Sequence, residues 1–539
     1  MSNIHDLTEV GIIVGEASSN EFFFASRSEE YPPKWEYIVV YSKEDIDGKL
    51  AEVPVIAQVE RIITSSQALS KDVDVEALKR IITAEIEDIR TWGKARILGY
   101  LIESESRILQ PRRAVTPGNS IYLAPKEILQ KFYSLPVDEG LQIGPLITRA
   151  DVPVHLSVLG FRRHLAIIAQ TGAGKSYCTG VIIEELVRNG ATIIVIDPHA
   201  DYTLLSLSKD DGKHEFSDRV TIFRNPASTS RFITKDVGNV ENYDIAFTDL
   251  SPDEICDISR IPGSAKNIRE AVREALESLK NTQYTPNELL QALENPTWAL
   301  NKDGGPDKSM KSSAESATKY IRSLAKLRVF GTSSTRINKL LKPAHISIID
   351  LSGLEDRAMN YISSKILQDV YESAFDESYE FPVFIMVEEA HKFIPPKFET
   401  YASSIINKIA AEGRKFGVFL TLITQRPSKV NPDSLSQCNS QIIMKLTNPQ
   451  DQQAVGQSSE RMSLDLLADL PGLNPGECII VGEITRAPVM VKIRERMTKE
   501  GGADVNVIQK LEQARRALKE EKINSDDDIR REPFNGELS

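Results

Sequence analysis

The segment Ala169-Gln170-Thr171-Gly172-Ala173-Gly174-Lys175-Ser176 constrains this chain more than any other. It follows the apolar run Leu165-Ala166-Ile167-Ile168 and opens a helical run from Tyr177 to Arg188, which Asn189-Gly190 stops. A strand, a glycine-rich turn and a helix in that order make a phosphate-binding loop, the P-loop. Gly172 and Gly174 let backbone N–H groups turn inward as an anion nest. The helix N-terminus adds partial positive charge. Lys175 is then placed to reach the β- and γ-phosphates of ATP, and the Ser176 hydroxyl to coordinate Mg²⁺. The candidate nucleotide contacts are Gly172, Ala173, Gly174, Lys175, Ser176 and Tyr177. The motif usually begins with glycine and here begins with Ala169, which leaves the Gly-Lys-Ser core intact.

Such a loop needs a parallel sheet behind it. Residues 151–495 supply an α/β pattern, with strands expected at 164–169, 192–197, 346–351, 383–388, 418–424, 441–446 and 478–481. Most are continuous apolar runs, as strands buried on both faces must be. A mostly helical insertion, about 202–345, is expected to one side of the sheet, with helices at 265–279 and 313–327. Residues 1–150 read as a small β-barrel, with short strands at 10–14, 36–40, 53–59, 97–101 and 120–123. A helical insert at 75–92 interrupts them, and Thr116-Pro117-Gly118-Asn119 reads as a turn. In the last region, 496–539, Val507, Leu511, Ala514 and Leu518 mark one helical face before Asn524-Ser525-Asp526-Asp527-Asp528 breaks it. That face either packs on its own domain, followed by a frayed tail, or forms an arm reaching a neighbouring subunit.

The 539 residues exceed one ordinary domain. A net charge of −12 confines any nucleic-acid contact to a local positive surface such as a channel lining. No run approaches the roughly 18 apolar residues of a membrane helix. The start, Met1-Ser2-Asn3-Ile4-His5-Asp6, lacks the basic-then-apolar order of a signal peptide. Cys178, Cys256, Cys438 and Cys478 form no CxxC pair, which argues against structural zinc or disulfides and fits a reducing cytoplasm.

Further chemistry is expected where strands end, because ligands bind at the carboxyl ends of parallel strands. Phe384-Ile385-Met386-Val387 leads into Glu388-Glu389-Ala390-His391. Glu388 can hold Mg²⁺, and Glu389 can polarise the attacking water. Asp197, in Asp197-Pro198-His199-Ala200-Asp201, either assists the metal or forms the turn before proline. Gln425, in Thr424-Gln425-Arg426-Pro427, is a candidate to sense the γ-phosphate or position water, or is a plain polar strand end. Arg414 ends the helix before Lys415-Phe416-Gly417, where a cation is favourable anyway. Its alternative role is an arginine finger entering a neighbour's ATP site. Arg163 is a second candidate, with a surface charge the leading reading from spacing alone. Lys392, Lys397 and Phe398 form a candidate channel loop, equally readable as ordinary surface. The barrel region offers no second carboxylate cluster of the kind a nuclease needs.

These residues together resemble the HerA family of archaeal, FtsK-like hexameric DNA translocases or helicases that work with the nuclease NurA. The resemblance rests on the loop Gln170–Ser176, Asp197-Pro198-His199, Glu388-Glu389-Ala390-His391, Glu412-Gly413-Arg414-Lys415-Phe416-Gly417 and Thr424-Gln425-Arg426-Pro427, and covers nearly the whole chain. It implies a RecA-like ATPase core and an N-terminal HAS-barrel that contacts NurA. It also implies a homo-hexameric ring with ATP and Mg²⁺ between subunits, acting on double-stranded DNA in end resection for break repair. Glu389 would be the catalytic carboxylate, Arg414 the finger acting in trans, and Arg163 a functional arginine. Lys492 and Ile493 would touch the nucleotide, and the C-terminal helix would brace the adjacent subunit. Two rival functions remain: a nucleotide-controlled scaffold for a nuclease, and an ATPase that pumps DNA or protein.

Overall fold

A computed structural model describes residues 7–518 except 47, 85–87, 103–106, 137–138, 231, 233–234, 236, 281, 302–303, 503–506 and 509. The N-terminal region comprises β1 (Glu9–Ala17), β2 (Glu21–Ser26), β3 (Tyr37–Ile46), β4 (Lys49–Ser65), α1 (Val75–Thr83), β5 (Arg90–Ile102), β6 (Arg107–Leu109) and β7 (Ser120–Leu123). The strand order is β2-β1-β7-β3-β4-β5-β6, and β2 also pairs with β5, which closes the sheet into a barrel. Ile13, Phe22, Phe24, Ile38, Val55, Ala57 and Ala95 fill it, all buried. The expected helix at 75–92 is too long: α1 stops at Thr83, and Trp92 is already in β5, paired with Ala25 and packed on Phe23. Strand β2 was not expected, because Phe22-Phe23-Phe24 hides the inside–outside alternation: only Phe22 and Phe24 point inward.

α2 (Lys126–Tyr133) and the antiparallel hairpin β8 (Gly140–Pro145) and β9 (Pro153–Ser157) lead into the ATPase core. There follow β10 (Leu165–Ile168), α3 (Lys175–Arg188), β11 (Thr192–Asp197), β12 (Val220–Arg224), β13 (Asn239–Asn242) and β14 (Ile245–Ala246). Next come α4 (Pro252–Ile258), α5 (Lys266–Leu279), α6 (Pro286–Glu294), α7 (Lys308–Ala325), β15 (Phe330–Gly331), β16 (Ile346–Asp350), α8 (Asp356–Phe375) and β17 (Val383–Val387). The chain continues through α9 (Tyr401–Glu412), β18 (Val418–Thr424), α10 (Pro432–Ser436), β19 (Ser440–Met444), α11 (Pro449–Ser458), α12 (Leu464–Asp469), β20 (Glu477–Val481) and β21 (Val489–Lys492).

The core sheet runs β13-β12-β16-β11-β17-β18-β10-β19-β20-β21. It is parallel from β13 to β19, while β20 and β21 are antiparallel. The strand expected at 478–481 therefore belongs to the sheet without joining its parallel part. The region expected as a helical insertion is only partly one. It also builds β12 and β13, two strands at the sheet edge, and Thr221 and the polar Asn239–Asn242 obscure their signal. Its helices α4–α7 bury Ile255, Ala271, Leu289, Ala317 and Ile321 in one apolar cluster with Ile194 and Ile196 of β11.

Barrel and core are joined by specific contacts. Trp35 Nε1 donates to Asp469 Oδ2 at 2.8 Å, and Lys34 pairs with Oδ1 of the same carboxylate. Lys94 reaches Asp465 at 3.1 Å, and the Tyr37 ring meets Tyr133 edge-on at 5.8 Å. At the other end of the chain, residues 507–508 and 510–518 are helical and their side chains are exposed, including Val507, Ile508, Leu511 and Leu518. The reading in which this face packs on its own domain is therefore corrected. The Asn524–Asp528 break lies outside the described residues. Among the described residues no helix is long and apolar enough to cross a membrane.

Candidate nucleotide site

β10 ends at Ile168 and the chain turns into α3 through two left-handed glycines, Gly172 at φ 77° and Gly174 at φ 102°. Because β18 and β19 flank β10 in parallel, the segments after Thr424 and Met444 stand beside this loop. Gln170 N donates to Lys445 O at 3.0 Å, and its side-chain Oε1 accepts from the Thr447 hydroxyl at 2.8 Å. The Thr171 hydroxyl donates to Gln425 Oε1. Gln425 is thus in direct contact with the loop it was expected to serve. Ala169, which replaces the usual glycine, is buried and donates its N–H to Thr424 O at 3.3 Å.

One strand further, β17 delivers the two glutamates. Lys175 Nζ pairs with Glu388 Oε1 and lies 3.4 Å from Glu389 Oε1. Glu388 is fully buried and accepts from the Tyr202 hydroxyl at 2.6 Å. His391 Nδ1 lies 3.2 Å from the other Glu389 oxygen, Oε2. Burial alone would raise the Glu389 carboxyl. The His391 hydrogen bond and the Lys175 charge outweigh it and hold Glu389 down at about 2. It is ionised at neutral pH beside the phosphate loop, as a group that polarises water must be. Burial lowers the Lys175 ammonium, against the pull of Glu389 and Asp201.

Asp197 proves to be a turn former. Its Oδ1 accepts from His199 N at 3.2 Å and Asp201 N at 3.0 Å, and its Oδ2 from Tyr202 N at 2.9 Å. Burial, with Asp201 alongside, pushes it up to about 8 against those bonds. Within this turn the carboxylate that touches the loop is Asp201, whose Oδ2 accepts from the Ser176 hydroxyl at 3.0 Å. The sequence marks Asp201 only as a second acid in the turn after β11, with no role of its own. Ser176, Asp201 and Glu388 together offer hard oxygen donors of the kind Mg²⁺ takes. Among the described residues no group of three or more His, Cys, Asp or Glu is arranged to hold a metal alone.

Lys492 and Ile493 stand one step from the loop. Gly476 N donates to Ala173 O at 3.0 Å and Gly476 O accepts from Ile493 N at 2.9 Å, while Lys492 Nζ donates to Pro475 O at 3.0 Å. Tyr177 is tied to the following segment, its hydroxyl accepting from Arg496 N at 2.7 Å. The β8–β9 hairpin closes over this stretch at Gly144, where φ is 153° and an added Cβ would run into Lys492 O. Gly144→Ala is therefore expected to cost about 1–3 kcal/mol and to weaken nucleotide binding, both measurable by thermal unfolding with and without ATP.

Arg163 and Arg414 lie elsewhere. They precede β10 and β18, adjacent parallel strands, and so sit at the amino-terminal edge of the sheet. The loop sits at the carboxyl edge, on the order of 13 Å away along the strand at ~3.3 Å per residue. Both arginines are exposed. Arg163 Nε lies 3.5 Å from Glu483, and Arg414 makes no ion pair among the described residues. Neither is brought to this chain's own P-loop. The candidate channel loop follows β17, with Phe398 67% exposed.

Between the two arginine-bearing segments, His164 is buried with φ 56°, and its Nδ1 accepts from Leu420 N at 3.0 Å. Burial pushes it down to about 4. The unfolded chain protonates this ring at about 6.5, whereas the folded chain does so only near 4. Stability is thus expected to fall as pH drops through that window, by up to ~1.4 kcal/mol per pH unit for this one proton. Urea unfolding at pH 7.5 and 5 checks it, and His164→Asn should flatten the slope.

The family described as "Helicase HerA, central domain" matches residues 141–370. The DNA double-strand break repair helicase HerA of Pyrococcus furiosus is 30% identical over 570 residues, covering 94% of this chain and 98% of that protein. The chain belongs to the HerA family. Another HerA, from Sulfolobus acidocaldarius, is 28% identical over 538 residues, covering 96% of this chain and 99% of its own length. Among solved structures, the plasmid coupling protein TrwB in complex with a non-hydrolysable ATP analogue is similar at 14% identity and a TM-score of 0.48. That match covers 71% of this chain and 95% of the TrwB chain.

Proposed function

We propose that this HerA-family chain is an ATP-driven motor that moves double-stranded DNA through a homo-hexameric ring. It acts in the cytoplasm with a NurA-like nuclease, bound through the N-terminal barrel, in end resection for break repair. The observation that carries this reading is the division of the catalytic set between the two edges of one sheet. The phosphate loop, Glu389 and Gln425 stand at the carboxyl edge, and exposed Arg163 and Arg414 stand at the amino edge. A head-to-tail interface brings one edge of a subunit against the other edge of the next, and such contacts close into rings.

In this reading the backbone nest and Lys175 bind the triphosphate, with Tyr177, Lys492 and Ile493 alongside. Ser176, Asp201 and Glu388 would hold Mg²⁺, which supplies charge neutralisation between the phosphates. Glu389 polarises the attacking water and Gln425 orients it. Arg414 and Arg163 of the neighbour stabilise the charge that develops on the transferring phosphoryl group. Hydrolysis thus depends on the junction, and movement at the junction shifts loops such as Lys392–Phe398 against DNA. The names of the relatives, which include DNA double-strand break repair helicases, support DNA as the substrate.

Duplex-stimulated ATP turnover should fall steeply between about 50 and 200 mM salt, because phosphate contacts release counterions. A stimulation that does not change over that range would refute the channel reading. Mass measurement with ATP and a blunt duplex tests the ring, with a hexamer the expected species.

A further inference from the structure

The motif Glu388-Glu389-Ala390-His391 ends in a titratable side chain, His391, that has no part in the proposed hydrolysis. His391 Nδ1 lies 3.2 Å from Glu389 Oε2 and 3.4 Å from Thr424 Oγ1. Thr424 is the last residue of β18, immediately before Gln425. Its carbonyl accepts from Ala169 N at the start of the phosphate loop, and its hydroxyl accepts from Arg426 N at 3.0 Å. The two Glu389 oxygens are therefore divided: Oε1 faces Lys175 and Oε2 faces His391. Glu389 itself is left-handed at φ 51°, and the turn behind it is fixed by Lys392 N donating to Glu389 O at 2.8 Å and by buried Ala390. The backbone holds the residue in place, but the direction of its carboxylate rests on these two side chains.

We propose that His391 is a positioning residue that holds Glu389 in register with the end of β18, so that one contact network sets both the water-polarising carboxylate and Gln425. The proposal rests on the reading that Glu389 polarises the attacking water. With Nδ1 lying 3.2 Å from Glu389 Oε2 and 3.4 Å from Thr424 Oγ1, a shift of the β18 end moves the imidazole against the carboxylate. Loss of Lys175 would abolish phosphate binding, whereas loss of His391 leaves the nest, Lys175 and Ser176 untouched. The expected defect is therefore in turnover and not in affinity.

The test uses the full-length protein with Mg²⁺ and saturating duplex, reading kcat for ATP and, separately, the Kd of a fluorescent ATP analogue. His391→Ala is expected to lower kcat at least tenfold with Kd within twofold of the parent. His391→Asn, whose amide N–H falls near Nδ1, should recover several-fold more activity than His391→Gln, whose amide falls near Nε2. Thr424→Val combined with His391→Ala should cost little beyond His391→Ala alone, because both break one contact. Turnover of His391→Ala within twofold of the parent overturns the proposal, as do equal activities of the Asn and Gln variants. Loss of nucleotide binding in His391→Ala would also overturn it, since the residue would then be structural. Glu389→Gln run in parallel separates the two readings. If it remains active, the role of Glu389 fails; if it is inactive while His391→Ala is normal, only the role of His391 fails.

Discussion

Glu389→Gln is expected to reduce steady-state ATP hydrolysis by about 10²–10⁴-fold while the protein continues to bind ATP. The amide keeps the size of the side chain but can neither carry the charge that polarises water nor take up its proton. Binding should survive because the nest at Gly172 and Gly174, Lys175 and Ser176 are unchanged. The variant also removes one of the two carboxylates facing Lys175, which frees that ammonium for phosphate and favours retention of nucleotide. Filter binding of ATP alongside phosphate release measures both halves. The same variant distinguishes a motor from a nucleotide-timed scaffold. If Glu389→Gln still supported full resection with a partner nuclease, the motor reading would be wrong.

The second large effect concerns the junction. Arg414→Ala is expected to lower turnover by roughly 10³–10⁵-fold, the range for a finger supplied in trans. Lys175→Ala should be inactive for a different reason, loss of phosphate binding. Mixed before assembly in equal amounts, the two inactive proteins should regain activity, because some junctions pair an intact loop with an intact arginine. Random assembly with independent sites gives about one quarter of the parental rate. Absence of any recovery, with rings of normal mass, would place Arg414 outside the neighbour's site. Recovery cannot arise if each chain completes its own site.

Much of the core was legible because strands buried on both faces leave an unbroken apolar run. The expected limits 192–197 and 418–424 coincide with the observed strands. Legibility failed where the signal is mixed. The Phe22-Phe23-Phe24 run has no alternation, and β13 is polar throughout except for Val240. The helix expected at 75–92 was extended across a segment that the barrel claims for β5, a tertiary preference that local pattern does not carry. In the site, the loop, both glutamates and Gln425 were readable because motif and strand end coincide. Asp201 was not, because its role depends on a turn that folds it back onto Ser176. The separation of the two arginines from the loop was equally invisible, since it follows from strand direction and not from spacing along the chain.

The fastening between barrel and core has a mechanical consequence. Trp35 and Lys34 share the single carboxylate of Asp469, and Lys94 adds Asp465 from the same short helix, so the barrel is pinned at α12 by directional bonds. A barrel held in this way cannot swivel freely; it tilts with the ATPase beneath it. A rigid partner clamped across several barrels would therefore act as a brake, making the subunits tilt together or not at all. Severing the pin, with Asp469→Ala and Asp465→Ala together, would work as a clutch, loosening the barrel from α12 while the ATPase runs on.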